Sequence, residues 1–222
     1  MPSASAPRTG ADAADVARPV LRADGRTWWI TVGLGLLAAL TTVVANIVIM
    51  RGFPDAARPD DLIFVLLPYV RPARWLTVAA LVLAFGVFLS DLLQRDGWAS
   101  RRLQEAATAF ALMYSLRAGM TVLTPLAPAQ GEEPFIFSPQ QYGMFPSGHT
   151  AAITLLLLLT PTDRPWPRRA QWLALALMAA GLLLARGHYS IDIVGGLLLG
   201  YVVVHAVRTW RLLAPLTGRC RR

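Results

Sequence analysis

Two of the chain's three histidines stand in settings that could do chemistry. His188 opens the stretch His188-Tyr189-Ser190-Ile191-Asp192, four residues ahead of a carboxylate. On a helix that spacing puts both side chains on one face, about 6 Å apart along the axis. The carboxylate can accept one ring N–H, fix the tautomer and leave the other nitrogen free as a nucleophile. A pair that merely helps the helix pack is the alternative. Within an apolar segment, however, ionisable residues are costly to keep, which favours function. His149 stands in Phe145-Pro146-Ser147-Gly148-His149-Thr150. Pro-Ser-Gly reads as a helix start: Ser147 caps the first turn, Gly148 lets a ligand approach the backbone, and the free N–H groups point at an anion. A simple cap with a turn is the alternative. Arg117, in Tyr114-Ser115-Leu116-Arg117, adds a guanidinium able to grip phosphate oxygens bidentately. Its alternatives are snorkelling toward headgroups or pairing with Asp192 or Glu132.

The elements that must position these residues are apolar helices. Of 222 residues, 55% are hydrophobic, too many for an ordinary soluble domain. The spacing of apolar runs predicts an all-α polytopic membrane protein with spans near 28–50, 75–94, 103–125, 146–161, 170–186 and 188–210. The apolar patch 62–67 is too short to span and is expected at the interface. Residues 1–27 are expected to form a disordered cytoplasmic arm, 28–212 the six-helix catalytic domain and 213–222 a basic cytoplasmic tail. Cys220 is the only cysteine, so no internal disulfide is possible.

Arginine placement sets the orientation. With a cytoplasmic N-terminus, fifteen arginines fall on the cytoplasmic side, five on the other, and Arg117 inside a span. The seven tryptophans fall near span ends, where indoles prefer to sit. An integral membrane protein with both termini cytoplasmic is expected. The loop 126–145, with Glu132 and Glu133, then faces outward. The active site is expected at the extracytoplasmic ends of the third, fourth and sixth spans. His205 lies most of a membrane depth below His188 and reads as packed or interfacial. Asp91, near the inner end of the second span, reads as interfacial. Gly196 and Gly200 are spaced to let a neighbouring helix approach closely. The arginines lack the interleaved aromatics of a nucleic-acid groove, and no nucleic-acid partner is expected.

Pro146-Ser147-Gly148-His149 together with His188-x-x-x-Asp192 resembles the second and third signatures of the type-2 phosphatidic acid phosphatase superfamily, from residue 101 onward. Within it, the chain is most similar to the sphingomyelin synthase-like branch: His188-Tyr189-Ser190-Ile191-Asp192-Ile193 resembles that branch's His-Tyr-Thr-x-Asp-Val block. Ser147-Gly148-His149-Thr150 matches its Ser-Gly-His-Thr. Arg101-Arg102, Tyr114, Arg117, Thr121 and Leu126-Ala127-Pro128 resemble its third-span region, and Phe53-Pro54-Asp55 its Pro-Asp element. The lysine of the phosphatases' first signature is absent, and Leu182 stands where they carry arginine. The synthase branch's acidic residue before Ser-Gly-His is also absent, with Gly143 at or near that position, and Pro146 is phosphatase-like.

The resemblance implies a lipid phosphatase or phosphotransferase working through a phosphohistidine. His188 would be the nucleophile, Asp192 its orienter and His149 the general acid and base. Arg117, Ser147 and Gly148 would hold the phosphoryl oxygens, with no metal and no cofactor. The expected partner is a lipid substrate in the outer leaflet. Headgroup transfer between lipids, hydrolysis of a lipid phosphate or polyprenyl diphosphate, and a non-catalytic transporter or scaffold are the competing functions.

Overall fold

A computed structural model of the chain describes residues 25–98, 100–129 and 143–209, and all regular elements among them are helical. The expected N-terminal arm up to residue 24, Glu132 and Glu133, and the tail with Cys220 lie outside the described residues. The helices are α1 (Gly25–Gly52), α2 (Leu62–Leu66), α3 (Arg74–Arg95), α4 (Arg101–Leu123), α5 (Gly148–Leu159), α6 (Pro165–Leu184) and α7 (Ser190–Thr209). A single 3-10 turn, Arg71–Ala73, leads into α3. Local chemistry fixes several starts. Asp61 caps α2, Ser100 caps α4 and Ser147 caps α5, each side chain accepting a backbone N–H of the first turn. Proline in the first turn starts α6, where its missing N–H costs nothing.

Among the described residues, four segments are long and apolar enough to cross a membrane: Trp28–Gly52, Arg71–Arg95, Arg101–Leu123 and Ser190–Thr209. These are the expected first, second, third and sixth spans. The expected fourth and fifth are corrected. Helix α5 has 12 residues, bounded by the Ser147 cap and by Thr160 ahead of Pro161. At 1.5 Å per residue it rises about 18 Å, against a hydrocarbon core of about 30 Å. Helix α6 reaches 20 residues, but its first turns carry Arg168, Arg169 and Gln171, so its apolar stretch is short.

Helix α5 is short because it is central. Nearly all of its residues are buried, and it touches α3, α4, α6 and α7. With no lipid-facing side it can afford Thr150 and Thr154, whose hydroxyls bond within the helix. Helix α1 packs on α4 through buried Thr31, Ala38, Ala45 and Ile49 and turns Leu36, Leu40 and Val43 outward. The partner that Gly196 and Gly200 admit is α5. A Cβ on Gly196 would lie 2.6 Å from the Ser147 carbonyl oxygen, and one on Gly200 would lie 2.9 Å from that of Ala151. Glycine on α7 therefore lets the two backbones nearly touch at the end where both histidine segments begin.

Candidate active site

The turn between α6 and α7 carries His188. Helix α6 ends with the Gly187 N–H bonded to the Leu182 carbonyl (2.8 Å), a reversal that needs left-handed backbone one residue earlier. That residue is Arg186, at φ 50°, where glycine is the usual choice. The chain then enters α7 within four residues, with His188 buried at 2% exposure. His188 Nδ1 lies 3.1 Å from Asp192 Oδ2, and the same oxygen accepts the Tyr189 N–H at 3.0 Å. The other ring nitrogen of His188 has no hydrogen bond among the described residues. The second carboxylate oxygen of Asp192, Oδ1, is buried without a partner.

Across the α5–α7 contact, the His149 ring centroid lies 6.0 Å from that of His188, with the planes 68° apart. The Ser147 N–H donates to the Asp192 carbonyl (2.9 Å), which ties the entry of α5 to the first turn of α7. The side chain of Ser147 is fully buried and accepts from the Thr150 N–H (3.3 Å) and hydroxyl (3.2 Å). As expected of a cap, it is engaged with its own helix.

Arg117 reaches the same place from α4. Its Nε donates to the Pro146 carbonyl (3.0 Å) and an Nη to the Gly143 carbonyl (3.2 Å). Among the described residues it pairs with no carboxylate, so the alternative of a bond to Asp192 is not what the chain adopts. The space beside Gly148 belongs to this arginine: a Cβ there would lie 3.0 Å from Arg117 Nε. Gly143 has φ +83°, and a Cβ on it would lie 2.5 Å from Thr121 Cγ2. An acidic side chain at that position would stand on left-handed backbone and force the Thr121 side chain aside. Phe145-Pro146 is a cis peptide. Arg117, Ser147, Gly148, His149, His188 and Asp192 thus converge from α4, α5 and α7.

Residues 106–214 match the family model of the PAP2 superfamily. Members of that superfamily are generally phosphatases and phosphotransferases, which supports an enzyme of that broad kind with a lipid-phosphatase type of fold. The match covers a little under half of the chain, from α4 past the end of α7, and includes every residue of the convergence. Among curated proteins, none matches the chain.

A second set of residues, reaching from α2 outside the PAP2 match to the start of α7 inside it, braces the His188 turn. The Asp61 carboxylate caps α2 and also accepts from Ser190 at the start of α7, from the N–H at 2.5 Å and the hydroxyl at 3.1 Å. Arg186 donates to the Phe64 carbonyl (3.2 Å), and its guanidinium lies over the rings of Phe64 and Tyr69. The Tyr189 ring lies 5.9 Å from that of Phe64, and its hydroxyl donates to the Ala127 carbonyl (3.2 Å). Helix α2 is therefore a clasp on the turn, and Arg186 is held in a conformation its backbone alone would not choose. Phe53-Pro54-Asp55, which resembles the synthase branch's Pro-Asp element, is an exposed turn. An aspartate directly before an apolar run signals a helix cap, but nothing local signals a partner 129 residues away.

Two other expectations can be placed. His205 is exposed and stacks on Tyr201 at 6.2 Å, away from the site. Asp91, near the inner end of the second span, is buried within the protein. Its oxygens bind Arg102 (2.7 Å) and Arg164 (3.0 Å), because an isolated carboxylate there would be too costly to desolvate.

Proposed function

We propose that the chain is a membrane-embedded lipid phosphatase acting through a phosphohistidine intermediate at His188. The observation that carries this reading is the His149–His188–Asp192 convergence, with one free imidazole nitrogen beside a second imidazole and a helix N-terminus. The free nitrogen of His188 attacks phosphorus, and the bond from phosphorus to the lipid oxygen breaks. His149, as imidazolium, gives its proton to that leaving oxygen. Asp192 holds the attacking ring in one tautomer and offsets the charge it gains. In the second step His149 takes a proton from water, whose oxygen displaces His188 and releases inorganic phosphate. Arg117 keeps N–H groups beyond those given to Pro146 and Gly143, and with the first turn of α5 these would cradle the phosphoryl oxygens. Phosphoryl transfer asks little more than such positioning and charge compensation.

Hydrolysis is favoured because Gly143 and Pro146 depart from the synthase pattern, and Gly143 has left-handed backbone with its Cβ position crowded by the Thr121 side chain. A second reading, transfer of a phospho-headgroup to a lipid alcohol in the sphingomyelin synthase-like manner, has its own support. The chain has no lysine, and Leu182 is fully buried core where the phosphatases carry arginine. The two differ only in whether water or an alcohol takes the second step. We take the site to face the outer leaflet: with the N-terminus cytoplasmic, the arginines still favour that sidedness whether or not the fourth and fifth helices cross. Purified protein in vesicles should release phosphate from phosphatidic acid without an acceptor. Appearance of the phospho group on added ceramide or diacylglycerol, with no free phosphate, would move the reading to the transferase, and no turnover of any phosphorylated lipid would overturn both.

A further inference from the structure

Between α1 and α4 runs an apolar groove of about 500 Å³, and its wall residues follow helical spacing on both sides. From α1 come Gly35, Ala38 and Thr42; from α4 come Ala107, Phe110 and Tyr114. The α4 series 107, 110, 114 continues at the next step to Arg117, so the guanidinium stands on the same helical stripe as the groove wall. At 1.5 Å per residue the wall extends from about 5 to about 15 Å along the axis from Arg117. The α1 series continues in the same direction to Ala45 and Ile49, and Ile49 lies beside Gly143, whose carbonyl Arg117 binds. Both helices are long and apolar enough to span, so the groove opens onto acyl chains. One wall is aromatic: the rings of Phe85 and Phe110 lie 5.6 Å apart, and those of Phe110 and Tyr114 6.5 Å apart. The other wall is made hollow by small residues, and a Cβ added to Gly35 would meet nothing within 4 Å.

We infer that this groove seats an acyl chain of the lipid whose phosphate Arg117 binds. The inference rests on the lipid-phosphate reading. A chain leaving the bilayer exchanges one apolar medium for another, so the groove acts by packing and shape, not by removing chain from water. Its effect is to hold the headgroup one turn above Tyr114, at the depth of the histidines. The occupant is a single chain: a stripe of small side chains facing aromatic rings forms a slot, not a broad face.

Two matched substitutions in the full chain test this. Gly35→Leu puts a side chain into the slot, whereas Gly33→Leu, also in open space, points elsewhere around α1. With dioleoyl phosphatidic acid, Gly35→Leu should raise KM about fivefold, the loss of roughly ten close carbon contacts. Dihexanoyl phosphatidic acid should be turned over as by the unaltered protein, and Gly33→Leu should change neither. Photocrosslinking with phosphatidic acid carrying a diazirine on its acyl chain gives a readout independent of turnover. The label should fall on the Gly35–Thr42 and Ala107–Tyr114 segments and be lost in Gly35→Leu. Loss of that crosslink in a protein that releases no phosphate would uphold the groove and overturn the proposed reaction. Equal crosslinking in both variants, or equal loss of activity on long and short chains, would overturn the groove.

Discussion

Two buried aspartates, one toward each end of α4, meet basic side chains in different ways. Arg102 and Arg117 lie fifteen positions apart on that helix, which separates the two sites by about 22 Å along its axis. At the first, each oxygen of Asp91 is taken by its own arginine, and Arg102 also covers the ring of Phe88. At the second, Asp192 gives one oxygen to His188 and to a backbone N–H, and its other oxygen has no partner. The partner is an imidazole, whose second nitrogen can act as a nucleophile, where a guanidinium cannot. In the first cluster both carboxylate oxygens are bound, and the pairing ties α3 and α4 to the segment entering α6. The other keeps a nitrogen, an oxygen and a helix N-terminus in reserve. What sets the second cluster apart as the candidate place for chemistry is an unpartnered carboxylate oxygen beside a free imidazole nitrogen and a helix N-terminus, where Asp91 has both of its oxygens bound.

Substitutions at the two ends should therefore separate turnover from stability. The largest effect on turnover expected from an aspartate is at Asp192. Asp192→Asn keeps the shape but no longer fixes the imidazole tautomer, and kcat should fall about a thousandfold with little change in Tm. A thousandfold loss accompanied by unfolding would make that pair structural as well. Asp61→Asn should fall between the ends. It weakens the hold of α2 on Ser190, and kcat should drop about tenfold while KM for the lipid stays within about twofold. Equal changes in kcat and KM would place Asp61 in substrate binding instead. The smallest effect on chemistry is at Asp91. Asp91→Ala leaves Arg102 and Arg164 without their counter-ion and should cost about 3 kcal/mol of stability, seen as a lowered Tm. Turnover per folded molecule should be unchanged. A loss of kcat in the folded fraction would show that the two ends are coupled.

The features of the site that are local in sequence could be read from it directly. The Ser147 cap, the four-residue spacing of His188 and Asp192, and the close-packing role of Gly196 and Gly200 each follow from helical geometry over one or two turns. The α5–α7 contact that unites them was implied by small residues on one helix, although not by any mark on its partner. The features that escaped are long-range. The bond from Asp61 to Ser190, the rings that hold Arg186 left-handed and the two arginines on Asp91 all join distant segments. Their residues look like ordinary caps and loop charges. The span count is less clear for another reason: residues 146–161 are apolar where α5 is enclosed by other helices, and burial in protein and burial in lipid leave the same composition.

The central claim is that His188, of the two imidazoles, carries the phosphoryl group. Purified protein mixed briefly with phosphatidic acid labelled in its phosphate and quenched in alkali should carry label that is stable to base and released by mild acid. Peptide mapping should find it on His188, and His188→Ala should abolish both label and turnover. Label on His149, or turnover that persists in His188→Ala, would contradict the account.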